Sequence, residues 1–148
     1  MTRRKVIGLE AGLIAAIRDA RAECDEYVIV EALPYFVQLM PNFGALYGEV
    51  VSNAYLEQAD HLNPFQARRL IALGWTAPEN PCHPNCPRTD HPNFTCLWHS
   101  TTSSHEIARD LLEGLMVVTS ARGEVGPNLR VKVGARVTRP TSGPIPGH

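Results

Sequence analysis

The sequence predicts an α+β fold built on one antiparallel sheet, and two observations support this class. Its hydrophobic periodicity runs in the order helix, two or three strands, helix, strand, long helix. Parallel βαβ winding requires helices regularly between strands, whereas the first predicted strands here follow one another directly. The chain has 148 residues, 44% of them hydrophobic, which is typical of one globular domain that can bury a core without disulfides.

The first part of the chain contains one predicted helix and then the predicted strands. Residues 8–23 carry apolar side chains at helical spacing, with charged residues mostly on the other side. Residues 27–40 are rich in β-branched and aromatic residues, and Pro34 interrupts them, which predicts either one long bent strand or a hairpin. A turn at 41–44 precedes another predicted strand at 45–53.

A short helix is predicted at 63–74 from its end signals. Asn63 is a suitable N-cap, Pro64 suits the first helical position, and Gln66 lies where a capping box requires it. Gly74 lies at the expected C-terminal stop.

The second part of the chain contains a long loop and three further predicted elements. Five prolines exclude a regular element from residues 76–92. Residues 93–99 predict a strand, a capping box opens a long helix at 103–122, and 129–133 predict a short final strand. The Pro/Gly/Ser/Thr-rich residues 138–148 are expected to be disordered.

The strand and helix stripes predict one shared core. Its expected members are Ile29, Val37, Leu39, Val50, Leu70, Leu73, Leu111 and Leu115. Trp75 directly follows the stop of the short helix, so its ring is expected to close the edge of the core and anchor the loop.

Composition excludes two classes of partner. Lys plus Arg is 14 and Asp plus Glu is 15, so the net charge is −1 and the chain lacks the basic field that nucleic-acid binding requires. No apolar run approaches the roughly 20 residues that span a bilayer. The basic N-terminus is followed by a stretch broken by charges, which is unlike a signal peptide. We therefore expect a soluble, cytoplasmic protein.

Sequence motifs for catalysis are absent. The chain has no GxSxG elbow, no P-loop and no GxGxxG. The hydroxyl-rich run at 100–104, beside His99, is interpreted as a helix N-terminus, where such side chains cap backbone N–H groups. Glu31 and Glu49 lie on predicted strands as solvent-side positions. We expect no enzyme, and a small hydrolase is the weakest alternative.

A Cys/His cluster predicts a structural zinc site. Six potential ligands lie close together in the chain: Cys82, His83, Cys86, His91, Cys96 and His99. The expected ligands of one tetrahedral zinc ion are Cys82, Cys86, His91 and Cys96, with His83 or His99 as possible replacements for the last two, and the ion would order the Pro-rich loop. Two alternatives remain: Cys96 is a core residue while Cys82 and Cys86 are free thiols, or Cys82 and Cys86 form a disulfide.

Large side chains on the predicted strands are candidates for partner binding. Both strand faces are apolar in places, so one face is either covered by the helices or offered to a second copy or a peptide. The candidate contact residues are Tyr35, Val37, Leu39, Tyr47 and Val51.

Four segments carry a resemblance to a known family. They are Phe36-Val37-Gln38, residues 48–56 (GEVVSNAYL), residues 70–78 (LIALGWTAP) and Pro92-Asn93-Phe94. This skeleton resembles the TY-Chap domain, an actinobacterial group similar to type III secretion chaperones of the CesT type and to YbjN. In less distinctive form the resemblance extends over residues 8–122.

The resemblance implies a compact fold with a twisted antiparallel sheet backed by helices. It also implies non-enzymatic binding of a peptide or protein segment, often as a dimer, and gives no catalytic residues. We expect a chaperone-like domain at 1–125 and a partly disordered extension at 126–148. The Cys/His loop departs from the family pattern. The alternative function is therefore a zinc-stabilised structural or regulatory subunit of a larger complex, such as a phage or host complex.

Overall fold

The computed structural model describes residues 3–23, 26–42, 45–78, 92–120 and 130–135. Within these residues the elements, in chain order, are α1 (Arg3–Glu23), β1 (Glu26–Ala32), β2 (Tyr35–Asn42), β3 (Ala45–Val50), α2 (Pro64–Ala72), β4 (Phe94–Trp98), α3 (Ser104–Thr119) and β5 (Arg130–Ala135). Two 3₁₀ turns lie between β3 and α2. The predicted α+β class and every predicted helix and strand are confirmed, whereas residues 79–91 of the predicted loop and the predicted disordered tail at 138–148 lie outside the described residues.

The five strands form one antiparallel sheet in the order β4-β3-β2-β1-β5. Of the two interpretations of residues 27–40, the hairpin is correct, because Ala32 pairs with Tyr35 across the Leu33–Pro34 turn. Strand β5 returns after α3 and pairs with β1, from Glu26 opposite Ala135 to Glu31 opposite Arg130. The final strand therefore belongs to the same sheet, although it lies within the expected extension.

Helices α1 and α3 pack together and cover one face of the sheet. That face buries Val28, Val30, Val37, Leu39 and Val50 completely. Since successive side chains of a strand point to opposite faces, the odd positions of β1 point away from the helices.

The predicted core is correct at six positions and differs at two. Ile29 is half-buried on the opposite face, because it lies at an odd position of β1, and Leu73 is half-buried at the margin of the core. The other six predicted members are buried: Val37, Leu39, Val50, Leu70, Leu111 and Leu115.

Two tryptophans pack against each other where β4, α2 and α3 meet. Trp75 and Trp98 are 3% and 7% exposed, and their rings meet edge-to-face with centroids 5.9 Å apart. Trp98 Nε1 donates a hydrogen bond to Asp110 Oδ2 at 2.9 Å. Gly48 and Gly114 lie against the two rings, where a side chain would not fit without displacement. Burial of Trp75 agrees with its predicted place in the core, while the loop that it was expected to anchor lies mostly outside the described residues.

Arg21 links α1 to the loop between β4 and α3 through side-chain hydrogen bonds. Its Nη1 donates to the carbonyl of Thr102 at 2.7 Å and to Ser104 Oγ at 3.1 Å. Its Nη2 donates to the carbonyl of Ser100 at 2.9 Å. The guanidinium therefore holds the entry to α3 against α1 through charge-assisted hydrogen bonds.

Candidate functional site

The structure buries four of the five predicted partner-binding residues. Tyr35, Val37, Leu39 and Val51 are at most 2% exposed. The β2 residues among them point to the helix-covered face. Val51 follows the end of β3, where its N–H donates to the carbonyl of Phe36 at 3.1 Å. A partner cannot touch these four side chains in this conformation, so we place the candidate surfaces elsewhere.

Tyr47, the fifth residue, is half-buried on the sheet face that no described helix covers. We call this surface the open face. Its side chains on β1 to β4 are half-buried or exposed: Tyr27, Ile29, Glu31, Phe36, Gln38, Met40, Tyr47, Glu49, Thr95 and Leu97.

A concave apolar surface lies between α2 and α3. We call it the α2–α3 groove, and it has a volume of about 480 Å³. Its lining residues are Glu10, Phe65, Gln66, Arg69, Leu73, Arg109, Leu112, Glu113, Met116, Val117 and Ser120. The groove falls in the size range of ligand pockets, which are usually apolar with a few polar groups.

Two large apolar side chains of the groove are accessible to a partner. Phe65 is 67% exposed and Met116 is 45% exposed. The α3 contribution from Arg109 to Ser120 follows helical spacing, so it forms a second stripe beside the core stripe that contains Leu111. In the sequence, Leu112 and Met116 only broaden the apolar stripe of the helix predicted at 103–122, so they gave no separate indication of a groove.

Gln66 fixes α2 against the end of α3. The predicted capping box is confirmed: Asn63 Oδ1 accepts from the N–H of Gln66 at 2.9 Å, and Gln66 Oε1 accepts from the N–H of Asn63 at 2.8 Å. Gln66 Nε2 also donates to the carbonyl of Val117 at 3.1 Å and to Ser120 Oγ at 3.2 Å. This side chain is 3% exposed, so one buried amide joins both walls of the groove.

Four charged side chains line the rim of the groove. They are Glu10, Arg69, Arg109 and Glu113. The described residues supply no ion pair to any of the four, so a bound segment would meet two positive and two negative groups.

A polar cluster lies within the open face. Glu49 Oε1 accepts hydrogen bonds from Gln38 Nε2 at 2.6 Å and from Asn93 Nδ2 at 3.3 Å. Asn93 is 4% exposed, and its Oδ1 accepts from the N–H of Ser52 at 2.9 Å. The sequence predicts Glu49 at a solvent-side position but does not indicate its hydrogen-bond donors, because Gln38 and Asn93 come from a different strand and a loop.

One of the four expected zinc ligands, Cys96, lies among the described residues. Cys82, Cys86 and His91 lie outside the described residues, and Cys96 is half-buried on β4 with its side chain against the core. Burial, with a smaller effect of the Asp110 carboxylate, raises the pKa of the Cys96 thiol to about 11. Cys96 is therefore a neutral thiol at pH 7 when no metal is bound, whereas zinc is bound by thiolates.

The zinc site stays a prediction, since the described part of the chain contains no group of three potential metal ligands. Protein purified without a His-tag or chelator is expected to contain about one equivalent of zinc by elemental analysis. Cys82→Ser should remove the metal, whereas Cys24→Ser, outside the cluster, should retain it. Less than about a tenth of an equivalent in the unmodified chain would contradict the prediction.

The hydroxyl-rich run before α3 has a structural explanation. Ser103 is the N-cap, with its Oγ accepting from the N–H of Glu106 at 3.1 Å. Thr101 Oγ1 lies 2.8 Å from His99 Nδ1, and the same nitrogen accepts from the Thr101 N–H at 3.2 Å. Both residues are exposed and form a local turn, with no third group among the described residues to orient the imidazole.

Comparison with known proteins gives one family. The family described as "T3SS (YopN, CesT) and YbjN peptide-binding chaperone 3", TY-Chap3, matches residues 9–122. No curated protein and no solved structure gives a significant match. Among the described residues, none of the helices combines the length and the apolar character that a membrane crossing requires. The resemblance noted from the sequence is confirmed, and the chain belongs to the TY-Chap3 family of peptide-binding chaperones.

Proposed function

We propose that this chain is a non-enzymatic, chaperone-like adaptor that binds an apolar segment of a partner protein in the α2–α3 groove. The observation that carries this proposal is the accessibility of Phe65 and Met116 in a concave surface. Large exposed apolar side chains gathered in one groove are typical of interaction sites. The family assignment to peptide-binding chaperones supports a peptide rather than a small molecule as the occupant.

The dimensions of the groove fit a short segment. Its α3 wall runs from Arg109 to Ser120, which at 1.5 Å per residue is about 16 Å. This length matches three turns of a helix or about five residues of extended chain. A segment with two or three apolar anchors, at helical or alternating spacing, would cover Phe65, Leu112 and Met116.

The apolar floor supplies affinity and the rim supplies orientation. Arg69 and Glu113 at the rim remain near water, where a single ion pair contributes about 0–1 kcal/mol. Burying a methionine-sized side chain contributes about 1.5–3 kcal/mol. Substitutions in the floor should therefore change binding more than substitutions in the rim.

Met116→Lys is expected to weaken peptide binding at least about ten-fold, because it removes an apolar contact and places a charge in the groove. Short random peptides displayed on phage are selected on the immobilised full chain, and the best binder is labelled and measured by fluorescence anisotropy. Ile71→Lys is the matched control, since Ile71 is 50% exposed on α2 but does not line the groove.

Equal affinities of the Met116→Lys and Ile71→Lys variants would contradict the groove as the binding site. Light scattering on the same samples tests whether the groove is instead occupied by a second copy of the chain. A dimer that Met116→Lys converts to a monomer, with no peptide selected, would show that the groove binds another copy of the chain and would overturn the proposal.

A further inference from the structure

The open face carries one carboxylate, that of Glu49, to which the described residues supply no cation. Both donors to Glu49, Gln38 and Asn93, contact its Oε1, and Oε2 makes no hydrogen bond or ion pair with the described residues. We propose that the open face is a second binding surface, for a protein segment in which a lysine or arginine is flanked by apolar residues and meets Glu49.

Neither of the two described cations on this face, Arg130 and Lys132 of β5, can reach Glu49. Lys132 Nζ lies 3.7 Å from Glu31 Oε1 and is engaged there. Lys132 pairs with Ile29, which pairs with Gln38, which pairs with Glu49. Three strand spacings of about 4.8 Å separate the two residues, or about 14 Å, which exceeds the reach of a lysine side chain.

The carboxylate is fixed in position before any partner arrives. Asn93 is buried and hydrogen-bonded to the Ser52 N–H, so its amide points to Glu49 in a set direction. Gln38 holds the same oxygen from the neighbouring strand at 2.6 Å. A basic side chain of a partner would therefore find the free oxygen already oriented, without loss of side-chain entropy at Glu49.

Apolar side chains flank Glu49 on the same face. Tyr47 is two residues away on β3, about 7 Å along the strand, and is directly opposite Met40 and Leu97. Leu97 is 67% exposed. On the other side of Glu49, Phe36 of β2 is half-buried. A segment lying on this face would therefore pack two apolar side chains on Tyr47 and Phe36. The side chain between those two would lie at Glu49.

Charge makes this surface selective. A wholly apolar segment would remove the water that hydrates the Glu49 carboxylate and would supply no hydrogen bond in its place. Burying an unpaired carboxylate in this way is strongly unfavourable. An acidic segment would add repulsion. A segment with a central lysine or arginine gains a charge-assisted hydrogen bond to Oε2 instead.

The test uses full-length chain carrying Met116→Lys, which is expected to weaken binding in the groove, so that the peptides report on the open face. Three blocked peptides are identical except for a central lysine, glutamine or glutamate between leucine and valine residues. Isothermal calorimetry is expected to show the lysine peptide binding at least about ten-fold more tightly than the glutamine peptide. Adding Glu49→Gln should abolish this preference, and Glu49→Lys should transfer it to the glutamate peptide.

Glu31→Gln is the matched control, because its carboxylate lies on the same face but is already paired with Lys132. It should keep the lysine preference within about two-fold. Circular dichroism melts verify that each variant is folded. An unchanged lysine preference in Glu49→Gln, or no binding of the lysine peptide at about millimolar concentration, would overturn the proposal while leaving the groove test intact.

Discussion

Replacing Gly48 with alanine is expected to lower the free energy of unfolding by about 3 kcal/mol. Gly48 lies in the middle of β3 opposite Cys96, and a Cβ atom there would overlap the indole ring of Trp98. That ring packs edge-to-face on Trp75 and is hydrogen-bonded to Asp110, so a shift that makes room for the Cβ atom disturbs these contacts. Urea denaturation followed by circular dichroism measures the loss.

Gly12→Ala is the control for this substitution. Gly12 lies in α1, and a Cβ atom there would meet nothing within 4 Å. Alanine is favoured over glycine in helices by about 1 kcal/mol, so this variant should be slightly more stable than the parent. If Gly48→Ala changed stability by less than about 1 kcal/mol, the tryptophan pair would not be packed as described.

Leu111→Ala is expected to lower the free energy of unfolding by about 2–5 kcal/mol. Leu111 is 0% exposed and belongs to the α3 stripe that faces the sheet, so the truncation leaves a cavity between helix and sheet. The control is Met116→Ala on the same helix, which is 45% exposed and should cost less than about 1 kcal/mol.

The two α3 variants together test which face of this helix is buried. Equal losses at Leu111 and Met116 would show that α3 is rotated relative to the structure. A small loss at Leu111 alone would mean that the surrounding side chains collapse into the space, which thermal melts with a reduced unfolding enthalpy would reveal.

Local signals were sufficient to predict the elements. The capping box of Asn63 and Gln66 and the stop at Gly74, which has a φ of +107°, depend on adjacent residues and so are visible in the sequence. The same applies to the alternation of β1. In a strand, successive side chains point to opposite faces of the sheet. Because Ile29 is as apolar as its neighbours Val28 and Val30, the residue pattern of β1 does not indicate which of the two faces the helices cover.

The site residues depend on contacts between distant parts of the chain. Gln66 meets Val117 and Ser120, which are 51 and 54 residues away. Glu49 meets Asn93, which is 44 residues away. Such partners follow from the topology of the sheet and helices, and no short-range pattern indicates them. For the same reason large apolar strand residues were predicted as partner contacts, and four of these five residues fill the core.

Strand β5 lies beyond residue 122, where the family match ends, yet it pairs with β1 along six residues. Without it, β1 would be an edge strand that presents a row of unpaired backbone N–H and C=O groups beside the largely apolar side chains of residues 27–30. Such an edge is a template for uncontrolled pairing with other chains. The segment outside the family match therefore moves this edge of the sheet from the apolar β1 to β5, whose exposed Arg130 and Lys132 are charged side chains of the kind that discourage further strand pairing.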